Sequence, residues 1–449
     1  ACWPSRETLR TRRLMNPAMP RLSILNARIV EPAGRGAVEP DRGGGDAIHI
    51  AEGKIIARGK APDGFVADRS IDATGCVLIP GLVDLAARLR EPGFEYKATL
   101  ESEMLAALAG GITSLACPPD TDPVLDEPGL VEMLKHRARG IQGARLFPVG
   151  ALTLGLKGET ITEMAELVEA GCIGFSHALV PIADTQVLMR AMQYASTFGF
   201  TVWLHPQDAQ LSRSGVAHAG PYASRLGLSG VPVIAETVAL HTIFELVRAT
   251  NCRVHLCRLS SAAGVELVRR ARAEGLPVSA DVAIHHVHLI DLDIGFFDSN
   301  CRVDPPFRAQ RDRDALRAAL ADGTIDAICS DHTPVDDDAK QLPFAEAEPG
   351  ITGLELLLPL TLKWADEAGL SPSRALHAIT AGPAALLGAP GGSLAVGEPA
   401  DLCLFDPAER WVVSRGTLLS QGAHTPYLGR ELQGRVRATL VNGSIAYER

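Results

Sequence analysis

Several residues able to do chemistry stand where apolar runs of this sequence end. "GLVDLAARLREPG" (81–93) closes one such run and carries Asp84, Arg88 and Arg90 into a Gly/Pro turn. Later runs end in Cys117 to Asp120, in His177, in His205, in Arg258, in His285 and His286, and in Asp331 and His332. Carboxylates beside guanidinium groups support ion pairing and anion clamping. Two histidines and an aspartate can ligate zinc, and His177, His205 and Asp331 form the smallest such set. Imidazoles pack without metal just as readily, so ordinary core packing is the plainer expectation for His285 and His286 in "VAIHHVHL".

The elements that must position these residues are legible around them. The runs "VLIPGLVDLAARL", "ITSLACPP", "ARLFPVGAL", "CIGFSHALV", "FTVWLHP", "RVHLCRLSS", "LPVSADVAIHH" and "IDAICSDHTP" read as strands. Segments such as "TLESEMLAALAG" and "AAGVELVRRARAEG" lie between them, with apolar residues three and four apart and glycine at the stop. Eight strands alternating with helices predict an α/β chain, a (β/α)8 TIM barrel over residues 79–388. Barrel chemistry sits at the C-terminal strand ends, where the residues above fall. Residues 22–78 and 389–449 have a different texture, short alternating runs broken by Gly, Pro and Asp. They predict one discontinuous β-sandwich domain formed by both chain ends.

A hydrophobic content of 46% over 449 residues supports a large core. A net charge of −10 argues against nucleic-acid and anionic-membrane partners, which need a basic face. No stretch reaches the roughly 18 apolar residues of a membrane span. The nine cysteines form no CxxC pair and lie mostly inside apolar runs, which predicts reduced, buried thiols and a cytoplasmic location. Residues 1–18 are Arg-rich without an apolar segment, so they read as a disordered or extraneous arm and not as a secretory signal. Met15 and Met19 are both plausible natural starts.

Taken in order, "GLVD…LREPG", "CPPDTDPVLDEP", "GPYASRLGLSGVPVIAE", "VHLCRLSSAAGVELV", "RVDPPFR", "DGTIDAICSDHTP" and "GITGLELLLPL" resemble the dihydroorotase branch of the amidohydrolase superfamily over residues 22 to 449. For an active member the resemblance implies a two-zinc site that opens or closes a cyclic amide, the metals polarising the carbonyl and supplying hydroxide. It implies His-x-His after the first strand, a bridging carboxylate on the fourth, single histidines on the fifth and sixth, and an aspartate on the eighth. Here the His-x-His positions are Ala86 and Arg88, the bridging position falls at His177 and Ala178, and the sixth-strand position is Arg258. His205 and Asp331 remain as residual ligand positions, with Asp331 as a vestigial catalytic residue. Arg90 matches the substrate-clamping arginine and is otherwise expected to tie down a loop or Asp120. Two asparagines of the family pattern are Asp120 and Asp304, and a histidine is Val335.

Alanine offers no lone pair and arginine stays protonated, so neither holds zinc. Arg88 and Arg258 are expected to replace metal charge by pairing with Asp331 and with Asp84 or Asp120. The alternative is that both arginines point into solvent. The resemblance thus implies a catalytically inactive dihydroorotase homologue that needs no cofactor. It implies assembly with the catalytic chain of aspartate transcarbamoylase in pyrimidine biosynthesis, as a homo- and hetero-oligomer. Two alternatives are a working zinc-dependent dihydroorotase with an atypical site, and a non-enzymatic scaffold of the dihydropyrimidinase type.

Overall fold

The computed structural model describes residues 20–32, 47–141 and 143–449. The expected arm at 1–18 lies outside the described residues. Among the described residues, eight short parallel strands run side by side: β1 (Leu82–Asp84), β2 (Ile112–Cys117), β3 (Arg145–Pro148, resumed at Gly150–Ala151), β4 (Phe175–Ser176), β5 (Thr201–Leu204), β6 (Arg253–Leu256), β7 (Val278–Ala283) and β8 (Ala327–Cys329). β1 to β3 pair in sequence, and the second piece of β3 pairs onward through β4 to β8. Just past the first and last strands, Ala87 and His332 form a parallel bridge. Arg88 N–H donates to His332 O at 2.8 Å, and His332 N–H donates to Ala86 O at 3.1 Å. The order of elements is therefore α/β with every strand-to-strand step parallel.

Strands buried on both faces need apolar residues throughout, which is why the runs lack alternation. All six residues of β2 are buried. One set of small and medium side chains, including Val83, Ala86, Ala116, Val149, Cys257, Ala283 and Cys329, packs as a cluster enclosed by the strands. A larger cluster joins the outer strand faces to the helices. The helix Leu100–Ala109 shows the local logic. The Thr99 side chain accepts from Ser102 N–H in a capping box, and Gly110 ends the helix. Leu100, Glu103, Met104 and Ala107 share its buried side. One member of that stripe is a carboxylate.

Residues from both chain ends build a second layer. Lys54–Arg58, Ala47–Ala51, Leu22–Leu25 and Arg69–Asp72 form a four-stranded sheet. Arg28–Ile29, Val77–Pro80, Leu402–Val412, Glu431–Val441 and Ser444–Glu448 form a five-stranded one. Val77–Pro80 pairs antiparallel with Leu402–Phe405 across more than 300 residues of chain. Ile24, Ile48, Ile50, Leu78, Leu402, Leu404 and Leu440 make one core between the sheets. Each such side chain contributes about 1.5–3 kcal/mol of burial.

Of the eight cysteines among the described residues, all are free; seven are buried and Cys76 is half-buried. Burial pushes the Cys117 thiol up to about 12, which leaves it protonated and inert. Among the described residues, no helix is long and apolar enough to cross a membrane.

Candidate functional site

His177 and His205 stand one position beyond their strands, Arg258 and Asp331 two, and Arg88 four, where each strand gives out and the chain must turn away. Arg258 follows β6 with φ of 58° and Asp331 follows β8 with φ of 47°. Non-glycine residues rarely adopt this left-handed backbone, which turns both side chains off the strand direction.

Arg88, Arg258 and Asp331 are 5%, 4% and 5% exposed. The alternative that both arginines point into solvent is therefore wrong, since both side chains are buried against their neighbours. Arg258 Nε lies 3.6 Å and Arg88 Nη1 3.7 Å from Asp331 Oδ1. Arg88 Nε donates to Asp120 Oδ2 at 2.7 Å, and its Nη1 to Thr333 Oγ1 at 3.0 Å. Burial would raise the Asp120 carboxyl, but Arg88 overcomes this and holds it below its ordinary value. Asp331 Oδ1 accepts no hydrogen bond. Burial therefore pushes Asp331 up to about 6, and the two guanidinium charges only partly offset it. At such separations one contact is worth about 4 kcal/mol in an effective dielectric near 20, before desolvation.

The expectation that Asp84 joins this cluster needs correction. Asp84 is fully buried and accepts from Ser330 N–H at 2.8 Å and from Ser330 Oγ. It ties β1 to β8, and burial raises its carboxyl more than Ser330 lowers it. Arg90 is likewise committed to a loop. Its Nε donates to Pro334 O at 2.8 Å, and its Nη2 stands 3.8 Å from Glu348 Oε1. The hydrogen-bonded partner of Asp120 is Arg88, and not Arg90. Gly93 in the same turn has φ of 96°, and a Cβ there would fall 2.2 Å from Asp122 O. Only glycine lets the two loops meet.

The histidines are differently placed. His177 has both ring nitrogens engaged, Nδ1 with Val180 O at 2.7 Å and Nε2 with Thr153 Oγ1 at 2.8 Å. His205 keeps Nδ1 near Cys257 O at 3.2 Å, while Nε2 is shielded and unpartnered. Burial and then Arg258 lower its pKa, so the ring is neutral. The set His177, His205 and Asp331 does not assemble. Among the described residues, the cluster of three ligand-type side chains within 4.8 Å is His255, Cys257 and Asp281. Its imidazole is already bound to Ser279 Oγ and Asp281 Oδ2. His285 and His286 are buried; His286 Nε2 meets Pro305 O at 3.0 Å, and burial lowers this ring to about 4. Val335 is buried, and Asp304 stands half-buried at the position where the family pattern has asparagine.

A two-metal centre does not fit these residues. Of the positions implied for it, His205 and Asp331 alone keep an unengaged ligand atom, since Thr153 and Val180 hold both nitrogens of His177, and two fixed cations stand beside Asp331. The orphaned Asp331 Oδ1 shows that these arginines neutralise it through space without hydrogen-bonding to it. A cavity of about 160 Å³ opens to one side, lined by His177, Leu204, His205, Gln207 and Thr242, and not by the arginine cluster.

Sequence reasoning missed Glu103. It is fully buried and meets His332 Nε2 at 2.6 Å, while Ser420 Oγ donates to it at 2.7 Å and Gln421 N–H at 3.0 Å. His332 Nδ1 accepts from Gly353 N–H at 3.1 Å. A glutamate on an apolar helical stripe, in phase with Leu100, Met104 and Ala107, was the available signal.

The comparisons define the class first. A family profile described as dihydro-orotase-like matches residues 75–263, and one described as amidohydrolase family matches residues 213–447. The chain belongs to the dihydroorotase-like family of amidohydrolases. It is 46% identical to a dihydroorotase-like protein of Pseudomonas aeruginosa over 95% of this chain and 99% of that protein. It is 38% identical to a dihydroorotase of Syntrophotalea carbinolica, again over 95% and 99%. Among solved structures, an L-hydantoinase (dihydropyrimidinase) from Arthrobacter aurescens matches with a TM-score of 0.82 at 24% identity, over 96% of each chain. At that identity the likeness concerns fold.

Proposed function

We propose that this chain is a catalytically inactive dihydroorotase homologue, a closed (β/α)8 barrel kept as an architectural subunit. The observation that carries the reading is the pair of guanidinium groups of Arg88 and Arg258 standing 3.7 and 3.6 Å from Asp331. Arginine does not ligate metal, and two permanent charges repel an arriving dication. With Ala86 in place of a ligand and His177 tied to Thr153 and Val180, the residues that would activate water are gone. The further proposal is that the barrel assembles in the cytoplasm with the catalytic chain of aspartate transcarbamoylase.

Two experiments test this. Chelator-washed full-length protein is assayed for zinc and for dihydroorotate turnover with zinc added back; the reading expects neither, and stoichiometric zinc with turnover overturns it. Co-expression with the transcarbamoylase followed by size-exclusion chromatography is expected to give one peak; separate elution at micromolar concentration overturns the assembly.

A second reading, a zinc-dependent dihydroorotase of atypical site, draws on the unpartnered Nε2 of His205 and on relatives named dihydroorotase. Turnover that vanishes in Asp331→Ala would establish it.

A further inference from the structure

Far from the strand ends, three arginines gather on one carboxylate. Arg435 Nη1 and Arg437 Nη1 lie 3.7 Å from the two oxygens of Glu409, and Arg449 Nη1 lies 2.6 Å from Oε1. The cluster keeps two positive charges in excess, on a chain whose net charge is −10. The adjacent acid Glu448 does not balance it, because that side chain pairs with Arg69.

Arg435 and Arg449 also line a cavity of about 220 Å³ between the sandwich and the helical layer. Its other walls include Trp411, Tyr447, Thr417 and Glu355. Arg435 lies over the Trp411 ring at 4.9 Å, and Trp411 Nε1 donates to Gly434 O at 3.2 Å, so the guanidinium stands against a fixed platform. Both Glu355 oxygens accept from Leu419 N–H, at 2.8 and 3.0 Å. The acid in the wall is thus engaged by backbone, and burial pushes its carboxyl up to about 8, which leaves it largely uncharged near neutrality.

From this cavity and its uncompensated arginines we infer that the barrel–sandwich junction binds a small phosphate-bearing molecule. The Arg435 and Arg449 forks hold the phosphate, and the remainder of the molecule lies against Tyr447 and Thr417. Guanidinium forks match phosphate oxygens two at a time, and a held fork loses little freedom on binding. The site is remote from Arg88, Arg258 and Asp331 and stands whether or not that centre is catalytic.

The test is calorimetric titration of the full chain with inorganic phosphate and with pyrophosphate, in chloride buffer at constant ionic strength. Saturable binding at one site is expected. Arg435→Met and Arg449→Met should each weaken it about tenfold or more, as a charge-assisted hydrogen bond is worth about 1.5–3 kcal/mol. Arg410→Met, which breaks the neighbouring pair with Glu431, should leave it unchanged. If Arg435→Met fails to fold, Arg449→Met decides alone. Non-saturating heats in the unmodified protein, full binding by the Arg449 variant, or equal loss in the Arg410 variant would each overturn the site.

Discussion

Arg258 Nε stands 3.6 Å from Asp331 Oδ1, and no hydrogen bond joins them. The contact is charge against charge in a buried setting, with Arg88 as the second cation at 3.7 Å. Each group carries a desolvation cost that its charged neighbours offset, and for Arg88 these include Asp120.

Arg258→Met should therefore cost about 3–5 kcal/mol, the usual penalty for stripping one partner from a buried ion pair. Asp331→Asn in the same chain should restore at least about half of the loss, because no buried carboxylate then lacks its partner. Urea unfolding of the single and double variants measures this. Additive losses would mean the two side chains act independently.

Histidines reinstated together at 86, 88 and 258 should recover zinc affinity better than turnover. The bridging carboxylate stays absent at His177 and Ala178, and Asp120, Asp304 and Val335 remain unlike the family pattern. Positioned acid–base and charge-stabilising groups each contribute about 100-fold or more, so turnover should stay at least about 100-fold below that of an active relative. A dihydroorotate assay beside metal analysis decides it.

Glu103→Gln removes the charge that meets His332 and two donors of the C-terminal segment. Burial acts to raise the Glu103 carboxyl, but the His332 contact prevails and holds it below its ordinary 4.5. A depressed folded pKa contributes stability above pH 4.5 that disappears as the pH falls through the folded value. The unmodified protein should be more stable by about 3–5 kcal/mol at neutral pH, and its margin should shrink in acid. Chemical denaturation at pH 7 and pH 4 compares them.

Glu355 titrates in the opposite sense. Burial raises its carboxyl from 4.5 to about 8. With the folded value above the unfolded one, its contribution is fully present below pH 4.5 and is lost as pH rises through about 8. Glu355→Gln should therefore gain on the unmodified protein between pH 5 and pH 9, read as a rising difference in melting temperature. A flat difference across that range would show that the acid ionises freely.

The strand ends were legible because a buried parallel strand must be a short apolar run, and Gly or Pro marks where it stops. His177, His205, Arg258 and Asp331 were located that way, each directly after its strand or one residue on. The direction of a side chain was less legible. Whether Arg88 turns inward depends on Asp120 and Thr333, which lie 32 and 245 residues away. Between Asp84 and Asp120 as partners of the arginines the sequence left the choice open; Asp120 took Arg88, whereas Ser330 captured Asp84 across 246 residues. Glu103 and Glu355 escaped notice because nothing beside them in the sequence supplies the donors that bury a lone acid inside an apolar helix or run. Their donors come from residues 419–421, far along the chain.

The clasp at Glu103 cannot close until most of the chain has been made. Its partners lie 229 and 317 residues downstream, and the sheet that begins near Arg28 waits for residues 402 to 448. During synthesis Val77–Pro80 lacks its antiparallel neighbour, Leu402–Phe405, until nearly the whole chain has emerged. Contacts closed over such distances form late and slowly. A truncation that spares every residue at the strand ends, yet removes the last forty or so, should leave an open, aggregation-prone intermediate in place of a smaller working barrel.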